Sequence, residues 1–286
     1  MHRIGYMRVV NHHEVVIVIE LRDMLIAERQ KRQRVSRWIP CRQTTIARAR
    51  MSVQLGRLAL PSARNTATDA PQRKVVASMR AGSGSYRSSQ RASSRYAGTG
   101  STATLTKEGA GKLTIAAGNN TNLNLSVTAG TLVVNSNLGN VSLASGTTLG
   151  GSGTVGAVTT VSGSIISPGN SPGNLTSSSV ALVGGTNFEW QVQNATGAAG
   201  VGYDTLTVSG ALDVSGAGSG NRINLKVISL DGNGDGTALG NPLNFTASSI
   251  RTFTFATVGS LNLGANTNIS DAFTINVDQF KYSDGS

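Results

Sequence analysis

Residues 167–174 repeat one tetrapeptide without a gap, Ser167-Pro168-Gly169-Asn170 and then Ser171-Pro172-Gly173-Asn174. Proline fixes φ at about −65° and has no N–H to give, so neither copy belongs inside a helix or in mid-ladder. Pro followed by Gly is the order a type II turn requires, and each copy reads as such a turn. Short alternating apolar runs lie on both sides within 150–213, which makes the pattern strand, turn, strand.

The same grammar runs from about residue 98 onward. Gly, Asn and Ser break the chain into candidate strands at 103–106, 112–116, 122–128, 131–134, 140–144 and 147–149. Leu123, Leu125 and Val127 alternate with Asn124, Ser126 and Thr128, the period of two of a half-buried strand. The joints Ala129-Gly130-Thr131-Leu132 and Ser145-Gly146-Thr147-Thr148-Leu149 read as corners at which a new strand begins. Strands this short, with one or two apolar residues each, suit an all-β parallel β-helix or solenoid, in which the next winding covers each small load. The rule for parallel crossovers makes it right-handed, and Asn inside can stack as a ladder. The alternative, an antiparallel sandwich, would use the Asn-Gly and Asp-Gly hairpins that are nearly absent before Asp231. After Asn174 the candidates lengthen, at 180–183, 187–193, 204–209, 211–215, 222–230, 251–258 and 273–277, and all six Phe fall there. A solenoid end needs a cap, so residues 99–200 are expected to form the windings and 201–286 a thicker β-rich end with a Phe core.

The segment Ile165-Ile166-Ser167-Pro168-Gly169-Asn170-Ser171-Pro172-Gly173 and the segment Gly202-Tyr203-Asp204-Thr205-Leu206-Thr207-Val208-Ser209-Gly210, in this order, resemble passenger segments of autotransporter-associated β-strand repeat proteins. The resemblance covers residues 99–286 and returns at Asp271-Ala272-Phe273-Thr274-Ile275. It implies a non-catalytic passenger on the surface of a bacterium, secreted or at the outer membrane. The implied partner is a host or environmental surface, glycan or protein, with no small-molecule substrate. Complete members continue into a membrane-embedded barrel or a Pro-Glu-Pro sorting tail; neither follows Tyr282, so the chain is expected to be a fragment at that end, with outer-membrane attachment through a missing region.

The net charge of +11 describes neither half. Residues 1–100 hold 19 Lys+Arg and 5 Asp+Glu, residues 101–286 hold 6 and 9, and 17 of the first 19 are Arg. Residues 1–98 read as a basic, mostly disordered leader with one helix, about 13–34, on the stripe Ile17, Leu21, Met24 and Leu25. The run Val15-Val16-Ile17-Val18-Ile19 is too short for a signal peptide. Two explanations compete for this segment: an arm for nucleic acid or an anionic surface, and a start assigned too early. The second is preferred, because the segment has neither turn grammar nor core.

His2, His12 and His13 are the three histidines and Cys41 the one cysteine, all in that front, so the later part cannot build Ser-His-Asp, Cys-His or thiolate-zinc chemistry. Carboxylates remain, and Glu189, Asp204 and Asp213 fall on predicted strands. Asp204 is expected to pair with backbone amides near Gly200 to Gly202, as turn Asp does. The string Asp231-Gly232-Asn233-Gly234-Asp235-Gly236 has the oxygens of the first half of an EF-hand loop, so Asp231, Asn233 and Asp235 are the calcium candidates. Pro242 stands where that loop needs its bidentate acid, and a Gly/Asp turn accounts for the same letters. The expectation is a stalk or adhesion scaffold without catalytic residues or cofactor. A β-helix polysaccharide lyase or hydrolase using carboxylates is the first alternative, and a basic arm on a β scaffold the second.

Overall fold

Leu113, Leu132, Leu149, Ile166, Phe188, Leu225 and Ile275 stand in register, one beside the next, across seven strands. The first six are buried, and this column is the spine of the core. The computed structural model describes residues 5–11, 13–20, 102–233, 238–245 and 250–281. The front contributes β1 (Gly5–Asn11) and β2 (Glu14–Glu20). Short strands follow: β3 (Ala103–Lys107), β4 (Lys112–Ile115), β5 (Asn119–Asn120), β6 (Leu123–Val127), β7 (Thr131–Val134), β8 (Asn137–Leu138), β9 (Val141–Leu143) and β10 (Thr148–Gly151). Then come β11 (Thr154–Thr159), β12 (Ile165–Pro168), β13 (Asn174–Ala181), β14 (Asn187–Val192), β15 (Thr205–Asp213), β16 (Ile223–Ser229), β17 (Ile250–Asn262) and β18 (Phe273–Gln279), with a single helical turn α1 (Ile269–Ala272) before β18.

The protein is all-β with parallel sheets. One sheet runs β4-β7-β10-β12-β14-β16-β18, parallel throughout. The other runs β3-β6-β9-β11-β13-β15-β17, also parallel, with the β5–β8 pair joined through β11. From β10 on the chain passes from one sheet to the other with every strand, so each strand returns beside its predecessor in the same sheet. The return takes 17 residues at Asn140 and Ala157, 37 at Asn187 and Asn224, and 50 at Thr205 and Phe255. The core joins residues of both sheets, as where Phe188 of β14 packs on Phe255 of β17, so the two sheets bury one face against each other.

Two kinds of corner make the returns. Gly130, Gly146, Gly163 and Gly185 all take φ between 74° and 85°, and Gly146 N–H donates to Gly163 C=O at 3.0 Å, as Gly163 N–H does to Gly185 C=O at 2.9 Å. The residue after three of these glycines, Thr147, Ser164 or Thr186, is fully buried. The Thr147 and Ser164 hydroxyls donate to the carbonyls of Ala144 (2.7 Å) and Val161 (2.6 Å). The predicted Gly-Thr joints are therefore corners, and their hydroxyl satisfies itself inside the core. At the other corner Asn124 Oδ1 accepts Asn140 N–H at 2.8 Å, and Asn140 Oδ1 accepts Ala157 N–H at 2.9 Å. A Cβ at Gly156 would run into Asn140 Oδ1, so the glycine makes room for the amide of the winding before it. These asparagines form a ladder, but on the outside: Asn140 is exposed, and a second set, Asn135, Ser152 and Asn170, is linked by bonds of 3.0–3.1 Å between exposed groups. An amide outside needs only one protein partner because water takes the rest.

The later windings carry the aromatic load. Phe188 packs on Phe255 with ring centroids 4.6 Å apart, Trp190 on Phe253 at 5.1 Å, Tyr203 on Phe253 at 5.1 Å and Phe255 on Phe273 at 5.9 Å. Each buried ring contributes about 150–250 Å², which is how longer windings fill a wider interior.

Several expectations change. The front helix over 13–34 is not what forms at its described end: Glu14–Glu20 is strand β2, and residues 21–34 lie outside the described residues. The leader is likewise not disordered over 5–11 and 13–20; the rest of 1–98 lies outside the described residues. Val15, Val16, Ile17 and Val18 are all buried, because β2 is covered on both faces, and a continuous apolar run of this kind fits a central strand as well as a helix. Only the first two residues of predicted strand 180–183 lie in a strand, as the end of the longer β13, while 204–209 and 211–215 are one strand, β15, kinked by a register shift between Val208 and Ala211. Strands β1, β5 and β8 and the turn α1 were not expected, and β11 and β12, which fall within the strand, turn, strand pattern of 150–213, had been given no bounds of their own.

Candidate functional site

The tandem tetrapeptide connects β12 in one sheet to β13 in the other, so it is a corner between sheets and not a hairpin. Gly169 has the φ of 83° that a type II turn needs at its third position. The second copy differs: its left-handed residue is Ser171, at φ 76°, and Gly173 is pressed against Gly169 so closely that a Cβ on either would strike the other's backbone.

This crowded corner is clamped from within by Asp204. Its Oδ1 accepts the Gly173 N–H at 2.8 Å and its Oδ2 the Gln191 N–H at 2.9 Å. Its own N–H donates to the Gln191 carbonyl at 2.8 Å, and its carbonyl accepts the Trp190 indole N–H at 2.6 Å. The expected partners, amides near Gly200 to Gly202, are not the ones used. Gly200 and Gly202 instead close a local turn, donating to Tyr203 and Ala198 carbonyls at 2.8 Å. Asp204 has 0% of its surface exposed. Burial pushes its pKa well above the usual carboxylate range; the bonds from Gly173 and Gln191 pull the other way, and the negative charge of Glu189 adds to the rise.

The other carboxylates do not join it. Glu189 faces outward and pairs with Lys226 at 3.5 Å on the neighbouring strand. Asp213, at the far end of the nine-residue β15, accepts Ser215 N–H at 2.8 Å. Hydrogen bonds from Ser215 hold its pKa below the usual range, with burial opposing and Asn262 assisting. A glycosidase pair needs carboxyl groups about 5–10 Å apart. Nine steps of extended chain separate Asp204 from Asp213 by about 30 Å.

Asp231, a calcium candidate, spends Oδ1 on the Asn233 N–H at 3.1 Å, and its N–H donates to the Ala238 carbonyl at 2.8 Å, the bonds of an Asp turn. Asn233 is exposed, and Asp235 lies outside the described residues. Among the described residues no group of three or more His, Cys, Asp or Glu is placed to hold a metal.

One charged residue escaped the sequence reading. Lys107 ends β3 on the inward side, opposite the buried Val127, and is 5% exposed. Its ammonium donates to the carbonyls of Gly109 (2.6 Å), Ala129 (2.8 Å) and Glu108 (3.1 Å), and burial lowers its pKa. The signal was available: Lys107 continues the alternation of Leu105 by two residues.

Compared with family models, curated proteins and solved structures, the chain matches none.

Proposed function

We propose that this chain is a non-catalytic β-solenoid passenger, a structural stalk or adhesion scaffold displayed on a bacterial surface or secreted. In this reading the two parallel sheets are walls of a right-handed parallel β-helix, the hand that connections between parallel strands almost always take. The observation that carries it is the use of Asp204. The carboxylate that a catalytic reading would choose first is wholly buried and bonded to the backbone of two separate windings, as a structural clamp is. The resemblance of residues 165–173 and 202–210 to autotransporter passenger segments supports the same reading, since in this chain the two phrases meet at that clamp. The outward faces, lined by Asn135, Asn140, Thr154 and Thr257, offer a polar surface to a glycan or protein partner.

The full chain is to be assayed on pectin, alginate and chondroitin with and without calcium, and on glycan arrays and protein-coated surfaces. Retention on a surface or glycan without turnover is the expected outcome. Turnover lost in Asp204→Asn or Asp213→Asn would replace the scaffold with the carboxylate enzyme. A calcium-dependent rise in stability that Asp231→Asn abolishes would assign a metal to that turn.

A further inference from the structure

At 13 residues β17 is the longest strand among the described residues, and it is the last of the parallel succession in its sheet. The edge it turns away from β15 is taken by β2, which lies antiparallel to it. The β1–β2 hairpin is therefore not a winding; it occupies the place where the next winding would lie. An end of a stack left bare would show its last apolar face and a row of unpaired backbone groups. Here Ile17 stands opposite Phe253 and Val15 opposite Ala256, both with 0% of their surface exposed, and both join Met7 in the core that holds Phe253 and Phe255. β1 also packs against α1 and β18, the last strand of the other sheet, so one hairpin reaches the ends of both sheets.

Polar groups fit as closely as the apolar ones. Val258 N–H donates to the His13 carbonyl at 2.7 Å, and the Thr254 hydroxyl donates to Glu14 Oε1 at 2.6 Å. A segment unrelated to the windings would have to match apolar pattern, register and two polar bonds at once. We propose that residues 5–20 are a cis-acting end cap, a working part of the same folded unit as the windings, and that the stability of the aromatic end depends on it. This reverses the preferred sequence reading, in which the front was foreign to the fold. It also gives the hairpin a task in the architecture. The cap ends the parallel succession, and the next edge it offers, that of β1, carries a register shift between Val9 and Asn11, an irregularity of the kind that discourages further pairing.

The test is native-state hydrogen exchange in the full chain. In Ile17→Ala the Val258 amide, which bonds to His13, and the amides of β15 are both expected to exchange about a hundredfold faster than in the wild type. Ile17→Val removes a single methylene; it is expected to speed both about fivefold, and it serves where Ile17→Ala does not fold. Faster exchange at both places supports the cap. Unchanged rates at both places overturn it, because the hairpin is then not seated on β17. Faster exchange at Val258 alone also overturns it, because the windings then stand without their cap.

Discussion

The carboxylate of Asp204 holds the backbone N–H of Gly173 at 2.8 Å across 31 residues of chain. This gives a physical reason for the order of two phrases in the sequence. The Ser-Pro-Gly-Asn corner brings two glycine backbones so close that Gly173 is left with its N–H turned into the core, and the winding that follows supplies the carboxyl oxygen to meet it.

Asp204→Ala is expected to cost about 3 kcal/mol, because two buried N–H donors lose their acceptor together. Asp204→Asn keeps one acceptor and should cost about half as much. Urea unfolding followed by far-UV circular dichroism measures both, and equal effects of the two substitutions would contradict the two-bond account.

The two shifted aspartates act in opposite directions with pH. Asp204 binds its proton more tightly folded than unfolded, so its contribution to stability is greatest on the acid side and falls as pH rises from the unperturbed 3.8 through its raised folded pKa. Asp213 binds its proton less tightly when folded, so its contribution is present above 3.8 and is lost as pH falls through its lowered pKa. Urea midpoints measured against pH should therefore lose their decline above pH 4 in Asp204→Asn, and lose part of their acid-side drop in Asp213→Asn. A profile that keeps its shape in both variants would refute the assignment.

Gly156→Ala should destabilise by about 1–3 kcal/mol, since the added methyl meets Asn140 Oδ1. Removing that side chain with Asn140→Ala costs its bond to Ala157 but also removes the nearest obstacle, leaving the Asn140 backbone nitrogen at 2.9 Å, so the double variant should be less harmed than the sum of the singles. Additive effects would show that the glycine is needed for something else.

Lys107→Leu replaces an inward charge on the edge of β3 that has no partner strand among the described residues with a side chain that welcomes another strand. Light scattering should report assemblies beyond those of the wild type, as edge strands give when their guard is removed. Unchanged mass would leave Lys107 as a local tie to Gly109 and Ala129 and nothing more.

Much of the strand pattern was legible. Thr131–Val134 was read to the residue because alternation and a Gly-Thr corner agree there. β11 was missed because Gly156-Ala157 interrupts its alternation, and β12 because it ends on the proline of a supposed turn. β2 was missed for the opposite reason: burial on both faces leaves no alternation to find, and Ile17 and Leu21 happened to fall on a helical stripe. The clamp at Asp204 could be sensed but not assigned. Its partner lies one full winding away, and no local rule states how long a winding is.

Winding length itself has a consequence in time. Closing a loop costs more as it lengthens, so a return of 50 residues is less favourable than one of 17 by about 1 kcal/mol, and the 245 residues between His13 and Val258 add about 1.4 kcal/mol more. Assembly is therefore expected to begin among residues 123–166, spread to the aromatic windings, and finish when the front hairpin docks. Pulse-labelled amide exchange should find Leu132 and Leu149 protected before Val227, and Ile17 last; early protection of Ile17 would reverse the order. A molecule that closes its end last spends part of its folding life with that end open, its aromatic windings uncovered until the hairpin docks.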